Sequence, residues 1–237
     1  MKTFDYVPNL PEMRSLSTKE IDGKRYYLLP SNRYVPSVTT VLGHFKKKQL
    51  MEWRNRVGNE EANRISNQAS TRGTKFHNLM EKYLTNTPIS SILTEKVMPT
   101  LKESFQMMQK EVDRNINNIH YIEASLFSTN MRMAGRTDVI AEFDGVLSVI
   151  DFKTSNREKK EEYVQDYFLQ STAYALMYEE RTETPIKQIV IMMASDGLPQ
   201  PQIFVKKTED YHEPLLYKIV QYFRENGFPE DSNYNIN

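Results

Sequence analysis

The chain has 237 residues, enough for one substantial domain with or without an appended lobe. Its 39% hydrophobic and 26% charged content excludes wholesale disorder, and 31 basic residues balanced by 31 acidic ones exclude a histone-like protein held to nucleic acid by bulk charge. Cysteine is absent, which excludes disulfides, thiolate zinc sites, cysteine-ligated iron–sulfur clusters and cysteine nucleophiles. The N-terminus lacks the apolar stretch of a secretory signal, and no run approaches the roughly 18 apolar residues of a membrane helix. A soluble, intracellular protein with no membrane partner is expected.

The first thirty residues read as loop, closing on a short strand in "KRYYLLP". In "VPSVTTVLGHF", Pro36 and Ser37 are start signals for a short helix that Gly43 is expected to end. Helical spacing runs from Gln49 to about Tyr83, with Phe76, Leu79, Met80 and Tyr83 on one face. Between Phe45 and Phe76, eight basic residues face three acidic ones, so an anionic partner would meet the first third of the chain. Trp53 and several tyrosines are interleaved there, a texture that suits single-strand stacking, although core packing is the commoner role for each aromatic. A break near "TNTPISS" precedes another helix, about Thr94 to Asn115.

Three β-rich runs follow: "YIEASLFS", "RTDVIAEF" and "VLSVIDFK". Asp144-Gly145 joins the last two as a hairpin, since both turn positions tolerate positive φ. A charged helix is expected at about Arg157 to Glu180, then strands in "IKQIVIMMA" and "QIFVKK", then a helix from about Glu209 to Glu225. The fold class is α/β, with one central mixed sheet flanked by helices. The expected division is a mainly helical portion at 1–118, a core at 119–226 and a flexible tail at 227–237.

The hairpin turn pairs residue n with about residue 289 − n, which sets Asp138 opposite Asp151. Two carboxylates that close repel unless a cation lies between them, and hard divalent ions such as Mg²⁺ or Mn²⁺ suit oxygen ligands. Lys153, two residues on, shares Asp151's face of the strand. Carboxylate, carboxylate and lysine around a divalent ion is a constellation for phosphodiester hydrolysis. Alone, a D-x-K triplet is more often an ion pair at a strand end.

Its company points further. Asp138 … Asp151-Phe152-Lys153 resembles the signature of the PD-(D/E)XK nuclease superfamily. "RGTKFHNLMEKYL" resembles the G-T-x-x-H-x-x-x-E helix of its RecB-type subgroup through Gly73, Thr74, His77 and Glu81, and "QSTAY" resembles the Q-x-x-x-Y element through Gln170 and Tyr174. With "VPSVTTVL" these span about residues 35 to 195, and the pattern looks like that of phage-type and mitochondrial exonucleases. The resemblance implies a restriction-endonuclease-like core whose site is covered by the helical N-terminal portion. It implies that His77, Asp138, Asp151 and the Phe152 carbonyl hold Mg²⁺ or Mn²⁺, with Glu123 a further candidate for a second metal. Lys153 would be the catalytic lysine, with Gln170 and Tyr174 beside it.

Arg54, Arg56, Arg72, Lys75, Arg136 and Trp53 are the residues expected to meet DNA. No proline precedes Asp138 (Thr137 does), and the cysteines that bind an iron–sulfur cluster in several relatives are missing. The expected activity is a DNA exonuclease acting on single strands or frayed ends in recombination, repair or replication, in a bacterial cytoplasm if phage-encoded. A structure-specific endonuclease and a non-catalytic DNA-binding accessory protein are the alternatives.

Overall fold

A five-stranded mixed sheet forms the centre of the computed structural model, which describes residues 2–227. In chain order the elements are β1 (Thr18–Ile21), β2 (Lys24–Leu28), β3 (Tyr34–Pro36), α1 (Val38–His44), α2 (Lys47–Val57), α3 (Asn59–Leu84) and the single turn α4 (Ile89–Ile92). They continue with α5 (Pro99–Asn115), β4 (Ile116–Ser128), β5 (Met133–Phe143), β6 (Val146–Ser155), α6 (Gln165–Thr182), β7 (Gln188–Ser195), β8 (Gln202–Lys207) and α7 (Glu209–Asn226). The large sheet has the order β4-β5-β6-β7-β8, antiparallel except for the β6–β7 pair. That parallel pair needs a crossover, and α6 supplies it.

The Asp144-Gly145 turn forms as the sequence requires, with φ of 51° and 76°. It pairs Val139 with Ile150 and Ile140 with Val149, and the ladder ends at the Val139–Ile150 rung, one residue short of Asp138 and Asp151. Helices cover both faces. On one, α1, α6 and α7 pack onto Ile140, Val149, Ile189 and Ile191; on the other, α3 and α5 pack onto Val139, Ile150, Phe152 and Val190. The unbroken apolar run of β7 follows from burial on both sides. The α/β class with a mixed sheet between helices is the observed one, and no helix among the described residues is long and apolar enough to cross a membrane.

Several elements depart from expectation. The opening residues are not only loop: β1, β2 and β3 form a second, antiparallel sheet that packs through Tyr27, Leu29 and Val35 on Ala134 of β5. The cover of the site is therefore part sheet and part helix. The helical stretch expected from Gln49 is two helices, broken at Gly58, whose φ of 87° is a conformation glycine adopts without strain. The helix expected from Thr94 starts at Pro99, with the proline at its first turn. The one expected from Arg157 starts at Gln165, after a 3₁₀ turn over Glu161–Tyr163. Helix α1 is capped by Ser37, whose Oγ accepts from the Thr40 N–H at 2.9 Å, and runs one residue beyond Gly43. Residues 228–237, most of the expected flexible tail, lie outside the described residues.

Candidate active site

Beyond the Val139–Ile150 rung β5 leaves β6: it pairs on with β4 as far as Met133, while β6 pairs on with β7 as far as Ser155. The sheet is split at Asp138 and Asp151, and the Asp138 side chain reaches across the split. Asp138 Oδ2 accepts from the Phe152 N–H at 2.8 Å, and Asp138 Oδ1 lies 3.2 Å from Nδ1 of His77 on α3. Because N–H and C=O of one strand residue project to the same edge, the Phe152 carbonyl also faces the split. On β4, Glu123 sits opposite Asp138, between the rungs Ile122–Val139 and Ala124–Thr137. Its φ of 52° is left-handed, a strain of about 1–2 kcal/mol for a side chain of this kind. Arg136 holds its carboxylate at 2.7 Å.

Burial and like charge set the protonation of this row. Burial pushes Asp151 up to about 6, and the charge of Asp138 adds to it; Lys153 opposes both. Burial works the same way on Asp138, but the hydrogen bond and charge of His77, with Lys153 and the Phe152 N–H, outweigh it and hold this carboxyl below the usual range. Two neighbouring acids driven in opposite directions is the signature of a pair that cannot both ionise cheaply. Burial pulls against a proton on His77, yet Asp138 wins and raises it. Glu123 is raised by burial and then by Asp138.

Lys153 Nζ straddles the Asp151 carboxylate, 2.6 Å from Oδ1 and 2.5 Å from Oδ2. Only the Oδ1 contact has hydrogen-bond geometry, which leaves the buried Oδ2 with an ion pair but no hydrogen bond. Burial opposes the charge on Lys153, but Asp151 and Asp138 more than compensate and raise its pKa. The ammonium also lies 4.9 Å from the centre of the Tyr167 ring.

A profile of the PD-(D/E)XK nucleases matches residues 91–227, more than half of the chain, and takes in Asp138, Asp151 and Lys153. The chain belongs to the PD-(D/E)XK nuclease superfamily. It is 27% identical over 204 residues to human mitochondrial genome maintenance exonuclease 1, a match covering 79% of this chain and 58% of that protein. The chain thus spans little more than half the length of that relative. A crystal structure of a candidate exonuclease from Eubacterium rectale superposes with a TM-score of 0.47 at 13% identity, covering 66% of this chain and 68% of that one.

The donor set fits a divalent cation. One ligand atom from each of His77, Glu123 and Asp138 lies within 4.8 Å of the others, and the charge of Asp138 acts on Glu123; Asp151, expected to share the ion, is not in this group, its carboxylate being held by Lys153. His77 precedes the residues matched by the superfamily profile, and α3 brings it in from the opposite face of the sheet from α6.

Helix α6 closes the other side. Gln170 Nε2 donates to the Tyr174 hydroxyl at 3.3 Å, and burial pushes the Tyr174 phenol well up. Tyr174 packs flat against Gly135, where a Cβ would come within 2.6 Å of its ring. Gly135, like Tyr167, escaped the reading of the sequence, because the partner that requires it is 39 residues away.

A cleft of about 700 Å³ opens over His77, Glu123 and Asp138, between the β1–β3 sheet and α3, with the buried Asp151 outside its lining. Arg136 lines it, as do Gly73, Thr74 and Glu81 of the His77 helix. The other residues expected to meet DNA lie elsewhere. Arg72 makes a two-pronged pair with Asp196, at 2.6 and 2.5 Å, tying α3 to the end of β7 at the surface. Arg72 and Lys75 border a neighbouring groove of about 420 Å³ beside Met98 and Leu101. Trp53, Arg54 and Arg56 are on α2, where Arg54 bonds Asn59 and Asn63. Of the remaining histidines, His44 meets Glu225 at 2.6 Å and His120 meets the Tyr178 hydroxyl at 2.8 Å, as structural residues would.

Proposed function

We propose that the chain is a Mg²⁺- or Mn²⁺-dependent deoxyribonuclease that hydrolyses phosphodiester bonds at single-stranded or frayed DNA ends. The observation that carries this reading is the row Glu123, Asp138, Asp151 at the split in the sheet, with Lys153 on Asp151 and His77 on Asp138. His77, Asp138, Asp151 and the Phe152 carbonyl would hold the ion, with Glu123 completing the set or serving a second ion. When bound, a divalent ion supplies Lewis-acid stabilisation of phosphate charge and a more acidic water. Lys153 orients the attacking water at the phosphorus and offsets the negative charge that grows on the phosphate oxygens. Gln170 and Tyr174 donate hydrogen bonds on the opposite wall and fix the phosphate against it.

The cover favours end attack over interior attack. About 700 Å³ lies in the range that encloses one small ligand, which favours a short stretch of one strand over a duplex. A strand entering under a roof enters by its end, and the name of the human relative supports exonuclease action. The setting we infer, from the resemblance to phage-type members, is end processing in recombination, repair or replication of a phage genome. The test is digestion of linear and circular single-stranded DNA by the purified chain in Mn²⁺ and in Mg²⁺. Linear DNA is expected to be degraded to short products and circular DNA to survive. Cleaved circles would make the chain an endonuclease, and survival of both would leave a DNA-binding accessory protein.

A further inference from the structure

The wall of the cleft facing the acidic row is built by β2, and two of its residues have unused binding capacity. Arg25 and Tyr27, two apart on the strand and therefore on one face, both line the cleft. The backbone at Arg25 is pinned: its N–H donates to Thr40 Oγ1 at 3.2 Å, and its carbonyl accepts from Thr40 Oγ1 at 3.1 Å and from the Ser37 N–H at 2.9 Å. Its guanidinium is exposed and makes no ion pair among the described residues, although Glu20 stands opposite it across the β1–β2 hairpin.

Tyr27 is 6% exposed, its ring locked among Leu29, Val35 and Ala134. Its hydroxyl bonds to no described residue, yet it is not among the occluded polar atoms, so it opens on the cleft. A phenol this buried loses its hydration on one side and is left with a donor to satisfy. Beside it on the same wall stand the Tyr174 hydroxyl and the Gln170 amide. A cation and hydroxyl and amide donors thus line the same cleft as three carboxylates, Glu81, Glu123 and Asp138.

We infer that Arg25 and Tyr27 form a subsite for a backbone phosphate of the bound strand, next to the phosphate being cleaved. The ligand class follows from the donors: an anionic group with several acceptor oxygens, contacted without reference to base identity. The subsite rests on the nuclease reading above and adds to it the part of the fold that grips the strand. It also gives the β1–β3 sheet a role besides roofing, since it carries the gripping residues in register with the acids through the Ser37–Ala134 bridge to β5.

The experiment uses the full chain carrying Lys153→Met, with a fluorescein-labelled oligothymidine, chelator present, and anisotropy read across a NaCl series. Adding Arg25→Gln is expected to flatten the slope of log K against log salt by about 0.7, one phosphate contact on a single strand. Adding Tyr27→Phe, which keeps the ring in its cluster, is expected to weaken binding on the order of fivefold and leave the slope unchanged. An unchanged slope with Arg25→Gln, while the parent binds, overturns the subsite and leaves the nuclease reading standing. If the parent binds no DNA and the wild type cuts none, the nuclease reading falls and takes the subsite with it.

Discussion

Replacing Lys153 with methionine is expected to slow phosphodiester cleavage by about 10³-fold, the scale seen when one charge-stabilising group is removed from an active site. Methionine keeps an unbranched stem and deletes the ammonium, which straddles Asp151 and lies over the Tyr167 ring. Binding of a single strand should persist, because the residues proposed to grip it, Arg25 and Tyr27, lie on another element. Stability should suffer in a pH-dependent way. Removing one partner of a buried pair costs about 3–5 kcal/mol when the other stays charged. Asp151 is already lifted to about 6 with Lys153 in place, and without it the acid escapes the penalty by keeping its proton. Denaturant titrations should therefore show the variant several kcal/mol weaker at pH 8 and much closer to wild type at pH 6. A wild-type cleavage rate in this variant would remove Lys153 from the reaction.

Divalent ions are expected to raise the melting temperature strongly at pH 7.5 and little at pH 5. The folded chain favours the neutral form of Asp151, so ionising it costs the fold more as pH climbs from the unfolded value near 4 to about 6. A cation between the carboxylates relieves that cost only where they are ionised. His77 works in the same sense. Its raised pKa makes it stabilising as a cation below its unfolded value near 6.5, a contribution lost as pH rises through the folded value, and only the neutral ring ligates a metal. Asp138, held low, contributes above its unfolded value and loses that contribution only in stronger acid. Protons and metal therefore compete at two of the donors near pH 5. At a hundredfold excess over Kd the linkage gain is about 2.7 kcal/mol, or a shift of roughly 5–10 °C for a chain of this size. Equal shifts at both pH values would show that the ion binds elsewhere.

The central hairpin was readable because Asp144-Gly145 is flanked by apolar runs, and its register runs to Val139–Ile150, the rung next to Asp138 and Asp151. The same dipeptide at Asp22-Gly23 turns β1 into β2 with φ of 51° and 70°, but the polar "TKEI" beside it hid the strand, and the roof of the cleft with it. Gly58 marked the break between α2 and α3 and was overridden by helical spacing on either side. His77, Gln170 and Tyr174 came from resemblance to a family; the geometry sets them around Asp138 from opposite faces of the sheet, a relation that no local periodicity carries. Arg72 looked like a phosphate contact because its partner, Asp196, is 124 residues away, and Tyr167 reaches Lys153 only through the crossover helix. Pairings of that range depend on the finished topology.

The most direct measurement is Mn²⁺ binding at pH 7.5, followed as loss of the free-ion electron paramagnetic resonance signal, in the wild-type chain and in Asp138→Asn. The wild type should withdraw Mn²⁺ from solution, and the variant should bind it at least about tenfold more weakly, as loss of a ligand or of its support does. Equal uptake by both proteins, or none by the wild type, would contradict the account.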